Sequence, residues 1–446
     1  MNCSSSKNPQ SNRGGTAWKR VCSIFSQLLH LFPRPEFEVF VRERKAERHA
    51  RGFPCWGQFV AMLFCQLARA HSLREICQGL AACEGKLKHL GLAEAPKRST
   101  LAYANGHRPW EVFQDQFYAL RQRCEQQARP GHKFRFHNKL VSLDSSTIGL
   151  CVSMYDWAHF QRAKGAVKLH LLLDHDGYLP KFAVVTTGKK HDITVARTLA
   201  FESGTILVMD KGYADYAWWQ QLDAQGVYLV TRLREDAKYR VERPREIPEM
   251  HRERIRRDEE IILLGHGQLG EEGLRLRRLE VWDEDKQEMF VFVTNHRRLA
   301  ASTIDRIYRE RWPIETFFKS LKQLLKIKTF VGTSEKAVLT QIWTALIAML
   351  LLRWLKLQAR YGWSLSNLLA LLRQQLFVYR DLYTWLNDPF ASPPAVIELE
   401  QQLALELVAT SSANLDSTST GNQRSGESAA LAIGSVESIP ILGTAT

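Results

Sequence analysis

One segment of the chain combines an acidic residue, several basic residues and the apolar spacing of a helix. From Ile314 onward the apolar residues recur at intervals of three and one, which is typical of an amphipathic helix with one buried face. Pro313 suits the first turn of such a helix. At about 100° per residue, one polar stripe presents Glu315 beside three lysines. This arrangement suits a metal ion and a phosphate, although Glu315 could equally form an ordinary i,i+4 ion pair with the first lysine. The lysines are Lys319, Lys322 and Lys326.

Two further carboxylates follow predicted strands. Residues 140–143 form a strand that leads to Asp144 and a run of small hydroxyl residues, and residues 205–209 form a strand that ends at Asp210. Three acids gathered at one place would repel one another unless cations neutralise them, so such clusters usually bind Mg²⁺ or Mn²⁺. Two metal ions about 4 Å apart can activate an attacking oxygen and stabilise a leaving oxygen in phosphodiester cleavage.

The elements around these acids predict a mixed sheet. From residue 139 the order is three strands, helix, strand, helix, strand, with a hairpin turn at 174–177. This order can place Asp144 and Asp210 side by side, and the Glu315 helix can pack across the end of the sheet. Strand-like runs between residues 238 and 294 predict an inserted β subdomain. Ser302 is the predicted cap of the preceding helix, and apolar helices follow from 337 to 387.

The N-terminal region, residues 18–130, is predicted to be helical. Residues 56–67 are apolar almost all round and should lie in the middle of a small domain. Ser72 and Glu75 predict a capping box. Residues 97–105 begin with two cations and a Ser/Thr cap, so this helix could belong to a helix-turn-helix reader of a DNA end, although similar helical patterns occur as often in domains that bind nothing.

Composition limits the choice of partner and compartment. The chain has 446 residues, a formal net charge of +14 and a pI near 9.4, which favours a polyanion such as nucleic acid. Residues 1–17 lack an apolar core and predict a disordered leader, and residues 409–446 predict a disordered tail. The most apolar run, residues 342–352, is too short to cross a bilayer and predicts a core helix, so no membrane association is expected.

The dispersed histidines do not have the spacing of zinc ligands. We expect them to be packing or surface residues. They are His159, His170, His175 and His191.

Four residues have a spacing that resembles a known family. Tyr308, Arg311, Glu315 and Lys322 are separated by two, three and six residues. This spacing is similar to the Y-R-E-K motif of the "IS four" family of bacterial insertion-sequence transposases, whose catalytic acids are called DDE. Residues 143–147 and 208–213 also resemble the blocks around that family's first and second aspartates. The resemblance covers roughly residues 25–388.

The resemblance implies a ribonuclease-H-like mixed sheet with helices on both faces and a β insertion before the glutamate. It makes Asp144, Asp210 and Glu315 the catalytic metal ligands for two Mg²⁺ ions, for which Mn²⁺ can substitute. Four residues are implied to contact DNA, and an aromatic residue of the insertion is implied to stack on a flipped base. The implied DNA contacts are Tyr308, Arg311, Lys319 and Lys322, and the stacking candidates are Phe290 and Trp282.

The expected organisation combines these elements. It consists of the leader (1–17), an N-terminal helical domain that binds DNA ends (18–130), the catalytic domain (139–235 and 295–390), the inserted β subdomain (236–294) and the tail (409–446).

The implied function is that of a bacterial, cytoplasmic and nucleoid-associated transposase. It would bind the ends of its insertion sequence as a homodimer in a synaptic complex, cleave them by metal-dependent hydrolysis and transesterification through hairpin ends, and join them to double-stranded target DNA. Two alternatives stay open. One is a metal-dependent nuclease of the same fold that does not join ends, and the other is an inactive, transposase-derived DNA-binding protein, against which the three intact acids argue.

Overall fold

The computed structural model describes residues 22–48, 50, 52–83, 85–127, 134–150, 155, 157, 159–161, 164–264, 269, 272–324 and 330–391. The predicted leader, the predicted tail and Lys326 lie outside these residues.

Six helices form the N-terminal part. They are α1 (Ile24–Leu29), α2 (Arg34–Glu43), α3 (Cys55–Ala68), α4 (Leu73–Ala81), α5 (Arg98–His107) and α6 (Glu111–Gln127). Helix α3 is buried on nearly all sides, as its all-round apolar sequence predicts. The predicted cap of α4 is confirmed, because the Ser72 hydroxyl accepts the Glu75 N–H at 3.2 Å. The predicted Ser/Thr cap of α5 is wrong: Lys97 is the N-cap, and Ser99 lies inside the first turn.

A ten-stranded sheet follows, and its first six strands comprise the five predicted strands, in the predicted ribonuclease-H-like arrangement, and a short second strand, which was not predicted. They are β1 (Leu140–Leu150), β2 (His159–Gln161), β3 (Lys164–Asp174), β4 (Pro180–Thr187), β5 (Ile206–Met209) and β6 (Tyr228–Arg232). The order is β4-β3-β1-β5-β6, with β2 beside the start of β3. Strand β3 is antiparallel to β1 and β4, whereas β5 is parallel to β1 and β6. The parallel strands are reached through α7 (Asp192–Ala196) and α8 (Tyr216–Ala224).

The predicted insertion contributes four strands to this same sheet. They are β7 (Lys238–Pro244), β8 (Ile255–Leu264), β9 (Leu274–Asp283) and β10 (Glu288–Thr294). Strand β10 pairs antiparallel with β6, and the order continues as β10-β9-β8-β7. The four strands therefore extend the central sheet and do not form a sheet of their own. This pairing satisfies the backbone groups that β6 would otherwise leave exposed at an edge.

Helices cover both faces of the sheet, as predicted. Successive residues of β5 point to opposite faces, so Leu207 packs on the side of α8, whereas Val208 packs on the side of α9 (Ala301–Arg309). The predicted Ser302 cap of α9 is wrong, because the helix begins after Ala300 and Ser302 lies in its first turn.

Four more helices follow among the residues that the structure describes. They are α10 (Trp312–Leu324), α11 (Glu335–Gln358), α12 (Leu365–Gln375) and α13 (Leu382–Asn387). Helix α11 contacts α3, α5 and α6 of the N-terminal part and also contacts α10 and α12. It is longer than the predicted apolar run, and by length and composition it could span a membrane, but 94% of its most apolar window is buried inside the protein. It is therefore a core helix, as predicted.

Candidate active site

Two aspartates lie side by side in the middle of the sheet. In the parallel pairing of β1 with β5, the last matched residues are Leu143 and Met209. Asp144 and Asp210 are the next residues of these two strands. The prediction that Asp144 ends its strand is wrong, because β1 stays paired with β3 as far as Leu150. The expected juxtaposition still arises, since β5 stops at this point.

The third acid comes from the first turn of α10. The helix buries the predicted apolar face, so Glu315 is turned toward the two aspartates. The acids line one cavity of about 550 Å³, together with three of the four predicted DNA contacts. The residues of the buried face are Ile314, Phe317, Phe318 and Leu321. The site residues in this cavity are Asp144, Asp210, Glu315, Arg311, Lys319 and Lys322.

Arg311 holds two of the acids. Its Nη2 donates to Glu315 Oε1, and its Nη1 donates to Asp144 Oδ2 at 3.4 Å. Burial raises the pKa of Asp144 to about 6, with Asp210 and Glu315 acting in the same direction. The Ser145 N–H, which donates to Asp144 Oδ1 at 2.7 Å, and Arg311 both lower this pKa. Burial and like charge thus perturb one carboxylate of the group strongly, which is common at catalytic sites.

The donor set suits a hard divalent cation, because it consists of carboxylates without sulfur or imidazole. Among the described residues, however, no three His, Cys, Asp or Glu side chains stand close enough to hold an ion as they are. The Arg311 guanidinium lies between Asp144 and Glu315 instead. A cationic group therefore already neutralises the acids, and a metal ion held by Asp144 and Glu315 would have to displace contacts of Arg311.

Two other basic residues face the acids from the sheet and from α10. Lys322 Nζ donates to the carbonyl of Thr147 at 2.9 Å, three residues beyond Asp144 on β1. Arg232 Nη2 lies 3.9 Å from Asp210 Oδ1. Sequence reasoning missed Arg232. The signal was available, since Arg232 ends β6 just as Asp210 follows β5, and the carboxyl ends of parallel strands meet at one edge.

A second cavity of about 560 Å³ adjoins the first and shares Arg232, Arg311 and Glu315 with it. Tyr308, the remaining predicted DNA contact, lines this cavity but is 91% buried, since only 9% of it is exposed. Phe290 lines the same cavity, and the Arg232 guanidinium lies 5.4 Å from its ring centroid. One candidate for base stacking is therefore next to the acids.

The second stacking candidate lies elsewhere. Trp282 pairs with Met289, one residue before Phe290 on β10, so the alternation of side chains places it on the opposite face of the sheet. Trp312, which sequence reasoning did not single out, lines the second cavity and is 64% exposed. Its position directly after Arg311 was the available signal.

Known proteins are similar in sequence to this chain. Residues 135–351 match the family model described as a transposase DDE domain, and residues 21–93 match a domain of unknown function. The protein y4zB of Sinorhizobium fredii, assigned as a transposase, is 30% identical over 301 residues, which are 67% of this chain and 83% of that protein. The chain belongs to the DDE transposases. The predictions of the family and of a DNA-cleaving enzyme are therefore confirmed, and with them DNA as a partner and a divalent metal as cofactor.

Other relatives of this transposase come from insertion sequences. The protein assigned to element IS5377 of Geobacillus stearothermophilus is 27% identical, over 58% of this chain and 67% of that protein. The protein assigned to element IS4SA of Synechocystis is 23% identical, over 70% and 87%. Among solved structures, the cryo-EM structure of the piggyBac transposase synaptic complex with hairpin DNA is similar, with a TM-score of 0.42 and 10% identity over 89% of this chain and 87% of that one.

Proposed function

We propose that Asp144, Asp210 and Glu315 are the catalytic residues of this transposase and that they bind two Mg²⁺ ions, which Mn²⁺ can replace. The observation that supports this proposal is that β1, β5 and α10 bring the three carboxylates to one cavity. The ions, when bound, would activate the attacking oxygen and stabilise the leaving oxygen. The first nucleophile is water, and the second is the freed 3′ hydroxyl of the element.

Basic residues around the acids hold the reacting DNA strand in this proposal. Arg311 exchanges its carboxylate partners for a phosphate, since its planar fork fits either group through two hydrogen bonds. Lys319 and Lys322 lie one and two turns after Glu315 on the same face of α10 and contact neighbouring phosphates. Tyr308 is mostly buried, so it supports the wall of the second cavity and reaches DNA through its edge.

The hairpin intermediate requires a base to leave the stack close to the acids. Phe290 is the better candidate for stacking on that base, because it lines the cavity that adjoins the acids, whereas Trp282 lies on the other face of the sheet. Exposed Trp312 lines the same cavity and offers the base a second aromatic ring.

At the scale of domains, residues 18–130 bind the element end, residues 139–235 and 295–390 carry out catalysis, and residues 236–294 supply the stacking residue. The enzyme acts as a homodimer that holds two element ends and target DNA in a synaptic complex. It does so in the bacterial cytoplasm, associated with the nucleoid.

The test uses three alanine variants, Asp144→Ala, Asp210→Ala and Glu315→Ala, and DNA ends taken from the flanks of the gene. Each variant should lose cleavage and strand transfer but keep most of its DNA binding, because the acids serve the chemistry and the basic residues supply affinity. The number of Mn²⁺ ions bound per chain, measured by electron paramagnetic resonance, should fall below two in each variant. The control is Glu235→Ala, whose side chain is 98% exposed. A variant that cut DNA nearly as fast as the wild type would remove that residue from the catalytic set.

A further inference from the structure

A third cavity, of about 340 Å³, lies on the N-terminal helices and shares no lining residue with the two cavities at the acids. It is formed by the turn after α2 and by one side of α5. Four basic or imidazole side chains line it, and none of the described residues in its lining is acidic. These four are Lys45, Arg48, His107 and Arg108.

The acidic residue next to these basic side chains, Glu47, does not pair with them. Glu47, between the two basic residues of the turn, accepts the N–H of Cys55 at the start of α3. Arg108 is fixed by neutral groups, the carbonyl of Phe53 and the side chain of Gln58. Lys45 and Arg48 are exposed to solvent. The cavity therefore presents positive charge that its own lining does not neutralise, which is the electrostatic character of a phosphate-binding surface.

An ordered aromatic ring stands at the rim of this cavity. Tyr103 is 64% exposed, and its ring stacks on His107 with centroids 3.9 Å apart and planes 15° apart. His107 Nδ1 in turn donates to the carbonyl of Tyr103 at 2.9 Å. A surface stack of this kind on a helix can be merely structural. Beside uncompensated basic residues, however, a fixed tyrosine offers a hydroxyl donor to phosphate and a flat face to a sugar.

The same helices are attached to the catalytic helix. Arg69, the C-cap of α3, donates to the carbonyl of Gln323 at 3.3 Å, near the end of α10. Lys336, at the start of α11, donates to the carbonyl of His107 at 3.1 Å. From Glu315 to Gln323, α10 spans only about 12 Å. Because a base pair rises by about 3.4 Å, DNA that leaves the acids can reach Arg69 within about four base pairs. The 14 residues of α3, a length of about 21 Å, then separate Arg69 from the cavity beside Phe53, which corresponds to about six further base pairs.

We propose that this cavity is a second DNA-binding site, which takes the sugar–phosphate backbone of the duplex adjoining the cleaved end. It rests on the proposed function in two respects, that the cleaved end lies at the three acids and that residues 18–130 bind the element end, and it adds which part of those residues contacts the duplex. Part of the site, Lys45 and Arg48, belongs to the region that matches a domain of unknown function. The assignment gives this region a role in holding DNA, separate from the chemistry.

The test compares two charge reversals in the full-length protein, Arg48→Glu and Lys356→Glu. Both lower the net charge by the same amount, but Lys356 is an exposed residue near the end of α11 and lines none of the three cavities. Equilibrium binding to a fluorescently labelled duplex from the flank of the gene is measured at several salt concentrations. We expect Arg48→Glu to raise the Kd about tenfold and to reduce the slope of log K against log salt by about 1. Lys356→Glu should change the Kd by less than about twofold.

A second pair of variants tests the aromatic ring. Tyr103→Ala should weaken binding about fivefold or more, whereas Tyr103→Phe keeps the ring and should lose less. Thermal unfolding midpoints equal to that of the wild type exclude misfolding as the cause. Equal weakening by Arg48→Glu and Lys356→Glu would overturn the proposal. Acid-to-alanine variants that still cut DNA would refute the catalytic assignment instead, and would leave this binding comparison unaffected.

Discussion

Arg311 neutralises two of the three acids and lies where a metal ion would have to bind. Its guanidinium donates to Asp144 and to Glu315, so it both neutralises the acids and occupies the space between them. A lysine at this position carries the same charge but cannot donate to two carboxylates, or to two phosphate oxygens, in one plane. The geometry of the fork, and not the charge alone, therefore positions this site.

We predict that Arg311→Lys lowers the single-turnover rate of cleavage about a hundredfold, because a donor aimed at developing negative charge acts mainly in the transition state. Binding of the DNA end should change only a few-fold. The control is Arg306→Lys, since Arg306 is exposed on α9 and its guanidinium lies over Phe134. Rates and affinities are measured at one fixed salt concentration. Similar losses in both variants would indicate a general electrostatic surface.

His170 has a buried imidazole ring, and the sequence had predicted only that it is a packing or surface residue. It is 1% exposed, and burial lowers its pKa to about 4, with Asp192 opposing and Lys168 and Lys190 adding to the effect. The ring Nδ1 lies 3.4 Å from Asp192 Oδ1, but Lys168 Nζ is already 3.2 Å from the same oxygen. At pH 7 the ring is therefore neutral, and its contact with Asp192 is not an ion pair.

The lowered pKa of His170 predicts a pH dependence of stability. The folded state favours the neutral ring, so its contribution is complete above the ordinary pKa of 6.5 and is lost as the pH falls toward 4. The full loss corresponds to about 3 kcal/mol. His170→Gln should flatten the dependence of the urea midpoint on pH between 6.5 and 4. An unchanged pH profile in this variant would show that other groups cause the loss.

For individual residues, the sequence predicted the three acids of the site but not all of the residues around them. The predicted strand order and the helical spacing were sufficient to bring Asp144, Asp210 and Glu315 together, although β1 continues past Asp144. Arg232 and Trp312 had weaker signals, which were the end of a parallel strand and the position directly after Arg311. Only the packing between β6, β10 and α10 shows that the two residues line the same cavity, and no short-range pattern in the chain specifies that packing.

Among the elements, strands β8 and β9 of the insertion are held to each other by buried charge as well as by backbone pairing. Arg277 of β9 donates to both oxygens of Asp258 on β8, at 2.8 and 2.6 Å, and both side chains are 3% exposed. On the loop before β7, Arg234 makes the same two-bond contact with Asp236, at 3.0 Å for each bond, but both side chains are largely exposed. The two pairs share their geometry and differ in burial.

We predict that Asp258→Ala destabilises the protein by about 3–5 kcal/mol, because it leaves the Arg277 guanidinium buried without its counter-ion. Asp236→Ala should have little measurable effect, since solvent screens an exposed pair. The measurement is the urea midpoint of unfolding for each variant. If the double variant Asp258→Leu/Arg277→Leu is as stable as the wild type while Asp258→Ala is not, the unpaired charge is the cause.

The elements also show where sequence patterns stop being sufficient. Types and order of the strands and helices follow from periodicity, but the caps at Ser99 and Ser302 were wrong because the helices begin earlier than their hydroxyl residues suggest. The continuation of the sheet from β6 to β10 was not predicted either. It depends on which distant strand covers an edge, and alternation within a single strand does not specify that partner.

In the described part of the molecule, α11 joins the N-terminal helices to α10, the helix that carries Glu315. It packs against the N-terminal helices and against α10, so the helices that would hold DNA and the helix that carries Glu315 share one core. A net charge of +14 surrounds this core. Two free copies repel each other at low salt, whereas DNA between them neutralises both. This balance favours the proposed dimer, in which DNA would bridge the two copies.

We therefore predict that the free transposase is monomeric at physiological salt and that two copies assemble on two element ends. Mass photometry of the protein with and without end duplexes, under Ca²⁺ to prevent cleavage, measures the number of chains per DNA. Raising the salt concentration should dissociate the assembly steeply, because each phosphate contact forms with the release of counter-ions. A duplex of unrelated sequence is the control, and it should bind single chains. A complex that kept one chain per end throughout cleavage would contradict the dimer, because cutting two ends in register needs two active sites held together.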